Sequence, residues 1–538
     1  MNLLWSLLER ASRQFPDGLA ITAGSRVGGA LTWSEVEGRA RAQARCLAAR
    51  GLQPGSTVAC LADNGPGVLI SSFATARLGA ILVPLNPRLS LPEQRAIVDL
   101  AGCGLGLADH LHWERASELL GEGHILCLEP EERLQAGARN APPASVDLRT
   151  PSPAAVEPGS AETCSQEPAA VEAAAPAQLY FTSGTTGDPK GVVLTHANIH
   201  AHALAAVEAL GLTAQDTWGH FAPMFHLADA WATFAITAVG GTHSFLPRFD
   251  AARCLEVCQR DGVTLTNLVP TMLQRVLATV EDGADPPRSL RLCLSGGAPI
   301  APAVVERVLS ALGCAYRQTY GLTETSPYLT LSQLEQHEEQ LPLAERAQRL
   351  ARTGTSFPTV ELRVVDPEGR SVPPDDATVG EIVVRGPTIS PGYWQNEEAT
   401  AAAHRGGWFH TGDLATVDAG GSVLIVDRLK DLILSGGENV YSIEVEAALL
   451  AHPAVLECAV FGLPHSDLGE CVSAAVVPRS GRALEAEELR DHCRERIAGY
   501  KLPRRLWLVE ELPRTGSGKI RKRTLREQAA AGVLGAEA

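Results

Sequence analysis

The 538-residue sequence is poor in lysine. Only five of its 46 basic residues are Lys190, Lys430, Lys501, Lys519 and Lys522; the rest are arginine. Arginine serves wherever a generic positive charge suffices, so a retained lysine marks a need for a compact ammonium on a flexible stem. Basic charge is scarce overall: 62 acidic against 46 basic residues leave a net charge of −16. That excludes a general nucleic-acid binder, because neutralising phosphates needs a basic field. No C-x-x-C pair occurs among the 12 cysteines, which excludes the common zinc patterns and reads as reduced thiols of a cytoplasmic protein. Long apolar runs are missing too. The longest, Val68 to Leu85, contains Arg77 and Pro84 and cannot span a membrane. The first fifteen residues carry Glu9 and Arg10 and predict an amphipathic helix, not a signal peptide. What remains is ordinary: 45% hydrophobic and 20% charged residues exclude a disordered, collagenous or coiled-coil chain.

The charge is unevenly placed. Residues from Arg428 onward hold 16 basic and 16 acidic side chains, so the whole deficit sits on 1–427. From Tyr500 onward there are 9 basic and 4 acidic residues. A basic tail of this kind could receive an anion; a solvated basic helix explains it equally simply.

Apolar runs of strand length alternate with helical patterns. Strands are expected at Thr57–Ala62, Ala80–Leu85, His124–Leu128, Gln178–Thr182, Val192–Leu194, His220–Met224, Val263–Val269 and Arg291–Leu294. Helices are expected at Val68–Leu78 and around 196–210, 227–238, 251–260, 271–280 and 300–311. This alternation predicts an α/β fold with helix-covered sheets. From about residue 357 short strands follow one another between Gly/Pro turns, which predicts a β-rich subdomain over 357–427 of a large domain 1–427. A small mobile α+β domain is expected over 428–538. Residues 137–177 hold seven prolines among Ala, Ser and Glu, and predict a poorly ordered surface excursion.

The densest chemical signal is the stretch Thr182-Ser183-Gly184-Thr185-Thr186-Gly187, followed by Lys190 and Gly191. Glycines let a backbone approach a ligand closely, and successive N–H groups and hydroxyls can wrap phosphate oxygens. Lys190 adds a point charge. The spacing is not that of a Walker A loop. Downstream lie Ser295-Gly296-Gly297-Ala298-Pro299, Gln318-Thr319-Tyr320-Gly321-Leu322-Thr323-Glu324, Thr411-Gly412-Asp413, Asp427-Arg428-Leu429-Lys430-Asp431 and Pro513 to Lys519. Taken singly, a turn-initiating Asp413, an exposed Glu324 and a basic turn at Lys519 are adequate alternatives. A carboxylate after a turn suits a ribose diol, a glutamate beside hydroxyls suits Mg2+ with substrate phosphates, and Gly516 and Gly518 predict a mobile loop that delivers Lys519.

In this order along nearly the whole chain, the motifs resemble those of the adenylate-forming (AMP-binding) acyl-CoA synthetases. The resemblance implies ATP, Mg2+ and coenzyme A as ligands and two half-reactions, acyl-adenylate and then thioester formation. It implies phosphate binding by Thr182 to Gly187 and Lys190, adenine binding by Gly297, Ala298 and Pro299, and nucleotide contacts from Gln318, Thr319, Tyr320, Gly321 and Thr323. Glu324 would hold Mg2+, and Asp413 and Arg428 the ribose. Lys430 would be the hinge, and Lys519 would drive adenylation. Gly436 and Gly437 would offer backbone to coenzyme A, where plant aryl-CoA ligases carry lysines. Many relatives have Gly in place of Thr319.

The resemblance also draws Phe225, His226, Trp231, Leu268, Val269, Met272, Gly296, Leu322 and Ser326 around the carboxylate substrate. Trp231 lies one place beyond the Trp gate of long-chain members. Asp229 is offset from the position at which amino-acid-activating relatives meet the amine. His226 reads either as a gate or as a satisfied core histidine. No Arg or Lys stands among the nine, so the expectation is a fatty or aryl monocarboxylate. The acceptor is expected to be coenzyme A, with a free-standing carrier protein as the alternative. No nucleic acid is expected as a partner, and a second copy of the chain is left open.

Overall fold

The structure, a computed structural model, describes residues 2–25, 29–128, 171–183, 189–479, 484–514, 520–535 and 537. Contacts divide the chain into two compact units: Met1–Leu362 with Val384–Phe409, and Arg363–Val383 with His410–Ala538.

The first unit holds two large sheets among its described residues. One has six strands in the order Ile125–Cys127, Leu105–Ala108, Thr57–Leu61, Ile81–Leu85, Pro176–Ser183 and Pro189–Thr195. All neighbours are parallel except the last pair. Parallel strands need crossovers, and helices Pro66–Leu78 and Leu91–Ala101 supply them. Every residue of Thr57–Leu61 and Ile81–Leu85 is buried, as unbroken apolar runs between helices require. Helix Pro66–Leu78 starts on a proline and stops at Gly79, whose φ of 69° is left-handed.

The second sheet has nine strands. It runs from Thr355–Ser356 through Tyr328–Leu331, Ala315–Gly321, Leu292–Gly296, Leu265–Asn267, Thr217–His220, Thr242–Phe245 and Leu19–Ile21 to Leu31–Thr32. The stretch from Ala315–Gly321 to Leu19–Ile21 is parallel. Its ladders place the ends of Leu292–Gly296 and Ala315–Gly321 side by side, with Ser295 opposite Gln318 and Gly296 opposite Thr319. Two of the sequence motifs therefore meet at one sheet end.

Two expectations need correction here. The strand read at His220–Met224 ends at His220. Beyond it the buried Asn64 amide donates to the carbonyls of His220 and Ala222, and its oxygen accepts from Met224 N–H. One side chain thus takes the backbone groups a ladder would need. The excursion read at 137–177 is ordered at its end: 171–175 form a turn and Pro176 opens a strand. Ala197 and His196 N–H donate to the carbonyls of Ala173 and Ala175. Residues 137–170 lie outside the described residues.

In the second unit, strands Glu438–Val440, Ile433–Ser435, Gly469–Pro478 and Val455–His465 form a sheet, with Arg505–Leu508 parallel to Gly469–Pro478. Alternate residues of the long hairpin face two cores. Val460, Val472 and Ala474 pack with Val445 and Leu489, and Phe461, Cys471 and Ala475 pack with Trp507 and Leu525. The tight turn Gly436-Gly437 has φ of 62° and 86° and joins Ser435 to its partner Glu438. Positive φ at both central residues is the type I′ hairpin geometry, which accounts for both glycines.

Candidate active site

The first unit brings together the segments expected to handle adenine and phosphates. Strand Leu292–Gly296 turns at Gly297, φ 80°, and Gly297, Ala298 and Pro299 are exposed at the sheet end. Gln318 anchors this turn. Its Nε2 donates to Ala298 O at 3.0 Å, its Oε1 accepts from Tyr316 Oη at 2.5 Å, and its N–H donates to Ser332 Oγ at 2.7 Å. Thr319 is buried, and its hydroxyl donates to Ser295 O at 3.1 Å. A Cβ on Gly296 would lie 2.2 Å from that hydroxyl oxygen. The extra bulk of Thr319 therefore fills space left by Gly296 inside the sheet, and Gly296 serves packing.

Tyr320 and Gly321 end the next strand. A Cβ on Gly321 would fall 1.8 Å from Pro327 O, so the chain can double back only over glycine. Leu322 N–H donates to Pro327 O and to Thr325 Oγ1, and a 3-10 turn over Thr323–Thr325 presents Thr323 and Glu324. Both are half-buried.

Glu324 is held from a segment the sequence reading passed over. Ser390 N–H donates to its carbonyl at 2.8 Å, and the Tyr393 hydroxyl donates to Oε1 at 2.9 Å. The Lys190 ammonium sits 5.4 Å from the centroid of the Tyr393 ring. Burial, and then the Glu324 charge, push the Tyr393 phenol above its ordinary range, so it stays a donor. Thr182 pairs with Lys190 across the two strands that flank the loop. Gly184, Thr185, Thr186 and Gly187 lie outside the described residues, as does the side chain of Ser183. One oxygen of Glu324 is committed to a phenol and its carboxylate is half-open, which suits a hard divalent cation shared with phosphates.

The substrate candidates separate into two kinds. Phe225 and His226 precede the short helix Leu227–Ala230, with ring centroids 4.6 Å apart. The exposed Arg88 guanidinium lies 5.7 Å from the Phe225 ring, a cation that the sequence, with Arg88 far away in the chain, gives no means to place there. Leu322 is half-buried, whereas Met272 belongs to a buried core with Phe221, Leu268 and Leu273. Trp231 is fully buried against Trp218 at 5.0 Å, Tyr328 at 5.1 Å and His202 at 5.5 Å, and its Nε1 donates to Ala228 O. Packed on these rings and tied by its indole N–H, it is a fixed part of the core.

Asp229 is engaged inside the fold. It accepts from Trp218 Nε1 at 3.3 Å and is hydrogen-bonded to His220 Nδ1 at 2.6 Å. His220 Nε2 meets His243 Nδ1 at 3.0 Å, and His243 Nε2 meets Thr237 Oγ1 at 3.3 Å. Thr237 already donates to Thr233 O, so it accepts from His243 Nε2–H. Burial, and then His220, hold the His243 pKa well below its usual value, so its bare Nδ1 accepts from His220. Burial pushes the Asp229 carboxyl up. Asp229→Ala leaves the buried Trp218 Nε1–H and His220 Nδ1 without their partner. It should destabilise the protein by about 3–5 kcal/mol, read as a lowered denaturation midpoint; a change below about 1 kcal/mol would refute the network.

In the second unit Asp413 does not sit on a tight turn as expected. It lies inside strand Trp408–Val417, directly opposite Arg428. Gly412 takes φ 71°, and Thr411 Oγ1 donates to Ile382 O while accepting from Asp413 N–H. Together they bend the strand without breaking it. Arg428 Nε lies 3.2 Å from Asp413 Oδ1, so the two ribose candidates are neighbours. Lys430 is exposed in the turn after Arg428. Lys519 lies outside the described residues.

Two family models match the chain, AMP-binding enzyme over residues 8–394 and AMP-binding enzyme C-terminal domain over 444–519. A feruloyl-CoA synthase of Amycolatopsis sp. is 36% identical over 96% of this chain and 97% of its own. A long-chain-fatty-acid–CoA ligase of Thermus thermophilus is 37% identical over 98% and 95%. The solved structure of o-succinylbenzoate CoA synthetase from Bacillus subtilis with its acyl-adenylate intermediate superposes with TM-score 0.81 at 29% identity, covering 98% of both chains. The chain belongs to the AMP-binding enzyme family of adenylate-forming acyl-CoA synthetases, the AMP-forming acid–thiol ligases.

Proposed function

We propose that this protein converts a fatty or aryl monocarboxylate to its coenzyme A thioester in two steps. The carboxylate oxygen attacks the α-phosphorus of ATP, and pyrophosphate leaves. The thiolate of coenzyme A then attacks the acyl carbon, and AMP leaves. The observation that carries this reading is the joining of Glu324 and Lys190 through Tyr393, beside an exposed turn that Gln318 anchors.

The residues position and neutralise, which is most of what phosphoryl-group chemistry asks of a protein. Gln318 holds the Gly297-Ala298-Pro299 edge for the base. Tyr320, Gly321 and Thr323 carry the chain past the phosphates. Glu324 would hold Mg2+, which when bound neutralises phosphate charge. Thr182 to Gly187 and Lys190 would take the triphosphate, Asp413 and Arg428 the ribose, and Gly436 and Gly437 the pantetheine arm. Phe225, His226 and Leu322 would line the acid pocket, with Trp231, Met272 and Gly296 as its supporting wall. The segment after Lys430 would turn about that residue between the half-reactions. Coenzyme A is the favoured acceptor and a phosphopantetheinyl carrier protein the rival. Cysteines without a C-x-x-C pair favour a reducing compartment and support a reaction in the cytoplasm; separately, no helix among the described residues is long and apolar enough to cross a membrane.

The test is acid-dependent pyrophosphate release across fatty chain lengths and aryl acids, followed by addition of coenzyme A or a loaded carrier protein. An aryl acid with a second carboxylate belongs in the screen because of Arg88. Lys190→Ala should lower kcat/KM for ATP by roughly 10- to 100-fold, the worth of one charge-assisted contact, with an unchanged melting temperature. Unchanged pyrophosphate release at limiting ATP would refute the role of Lys190.

A further inference from the structure

Tyr393 is fixed on every side. The stretch from Ser390 to Trp394 lies against strand Pro189–Thr195: Trp394 N–H donates to Gly191 O at 2.7 Å, Val193 N–H to Gly392 O at 3.0 Å, and Ser390 Oγ to Val193 O at 2.6 Å. Val192 and Tyr393 pair as an isolated antiparallel bridge. Tyr393 N–H donates to Thr400 Oγ1 at 2.9 Å. Gly392, φ 145°, has no room for a Cβ, which would lie 2.4 Å from Thr400 Cγ2. A backbone held this firmly aims a side chain, and this one touches two opposite charges. Its hydroxyl reaches Glu324 Oε1 at 2.9 Å, and its ring lies 5.4 Å from the Lys190 ammonium.

We propose that Tyr393 is a positioning residue for the magnesium–triphosphate, its hydroxyl turning the Glu324 carboxylate to the metal and its ring face holding the Lys190 ammonium to the phosphates. Donation to Oε1 leaves Oε2 for the cation and fixes the plane of the carboxylate. A hydrogen bond to a metal-ligating carboxylate sets its orientation and is commonly worth about 10–100-fold in metal affinity. The ring supplies a second, separable contact, because a cation attracted to an aromatic face needs no hydroxyl. This inference rests on the proposed reaction and adds the residue that couples its metal ligand to its phosphate lysine.

The experiment uses the full chain with Mn2+ as the probe. The electron paramagnetic resonance signal of free Mn2+ is titrated in the presence of α,β-methylene-ATP, alongside pyrophosphate release. Tyr393→Phe keeps the ring and removes only the hydroxyl. It should weaken Mn2+ by about 10–100-fold while the melting temperature and the affinity for the nucleotide analogue alone hold. Tyr393→Leu should weaken the analogue by a further few-fold, and in a Lys190→Ala background the Phe and Leu variants should not differ. Glu324→Gln should lose Mn2+ as Tyr393→Phe does, and the double variant should lose no more than Glu324→Gln. Mn2+ affinity of Tyr393→Phe within about threefold of wild type overturns the inference, whether or not the variant melts earlier. Wild-type protein that releases no acid-dependent pyrophosphate overturns the reaction instead, and the Mn2+ titration still reads Tyr393.

Discussion

Lys519→Ala should lose acyl-adenylate formation by roughly 10²–10³, the usual effect of removing one preorganised donor from a developing charge. The same variant, supplied with synthetic acyl-adenylate and coenzyme A, should form thioester at nearly the wild-type rate. The asymmetry follows from where charge builds. When carboxylate meets the α-phosphate, two anions approach, and a compact ammonium between them lowers the barrier. When a thiolate attacks the acyl-adenylate, that bridge has no further work. The residues flanking Lys519 are tied down independently. Arg514 and Ile520 pair as an isolated bridge, Arg521 N–H donates to Pro513 O at 2.7 Å, and Arg514 pairs with Glu457 at 2.6 Å. These ties use backbone groups and the Arg514 side chain, so truncating Lys519 spares them. Lys519→Arg should rescue poorly, because a planar fork does not replace a point charge. Equal slowing of both half-reactions would make Lys519 a structural or coenzyme A contact and end its assignment to the first half-reaction.

What the sequence reveals of this fold follows from how each feature is encoded. Thr57–Leu61 and Ile81–Leu85 are legible because strands covered on both faces read as unbroken apolar runs. Helix His196–Leu210 is legible because it is strongly apolar and ends at Gly211. Helix Trp33–Ala49 escapes the reading, since arginines and alanines blur its buried stripe of Trp33, Val36, Ala40, Ala44 and Leu47. The site divides in the same way. Glu324, Lys190, Gln318 and Asp413 stand out because each belongs to a dense local motif. Tyr393 belongs to none; its meaning lies in contacts with Glu324 and Lys190, which sit on other segments. The partners of Asp229 are similar. His220 and His243 become neighbours only because Thr217–His220 and Thr242–Phe245 pair in parallel, and no periodicity in either segment announces that pairing.

Lys430→Pro should spare acyl-adenylate formation and depress thioester formation on the order of 10²-fold, the penalty for a misplaced reacting group. Proline fixes φ, removes a donor and restrains the residue before it, here Leu429, whose N–H donates to Gly412 O at 2.8 Å. The arrangement seen in the structure does not depend on residue 430. Asp427, before the pivot, is buried and accepts from both the N–H and the hydroxyl of Ser442, which lies after it. Lys522 donates to Ser442 Oγ at 2.6 Å and pairs with Glu446 at 2.7 Å, and Arg526 pairs with Asp431 at 3.0 Å. These contacts bridge 427–431 in one state, and a turn about Lys430 must break the Asp427–Ser442 bond. A substitution that stiffens the pivot therefore favours the state already held and penalises the one that needs rotation. Two measurements decide it: pyrophosphate release with acid alone, and thioester formation from supplied acyl-adenylate. A hinge slows only the second. If both fall together, Lys430 holds the second unit's structure and the pivot lies elsewhere.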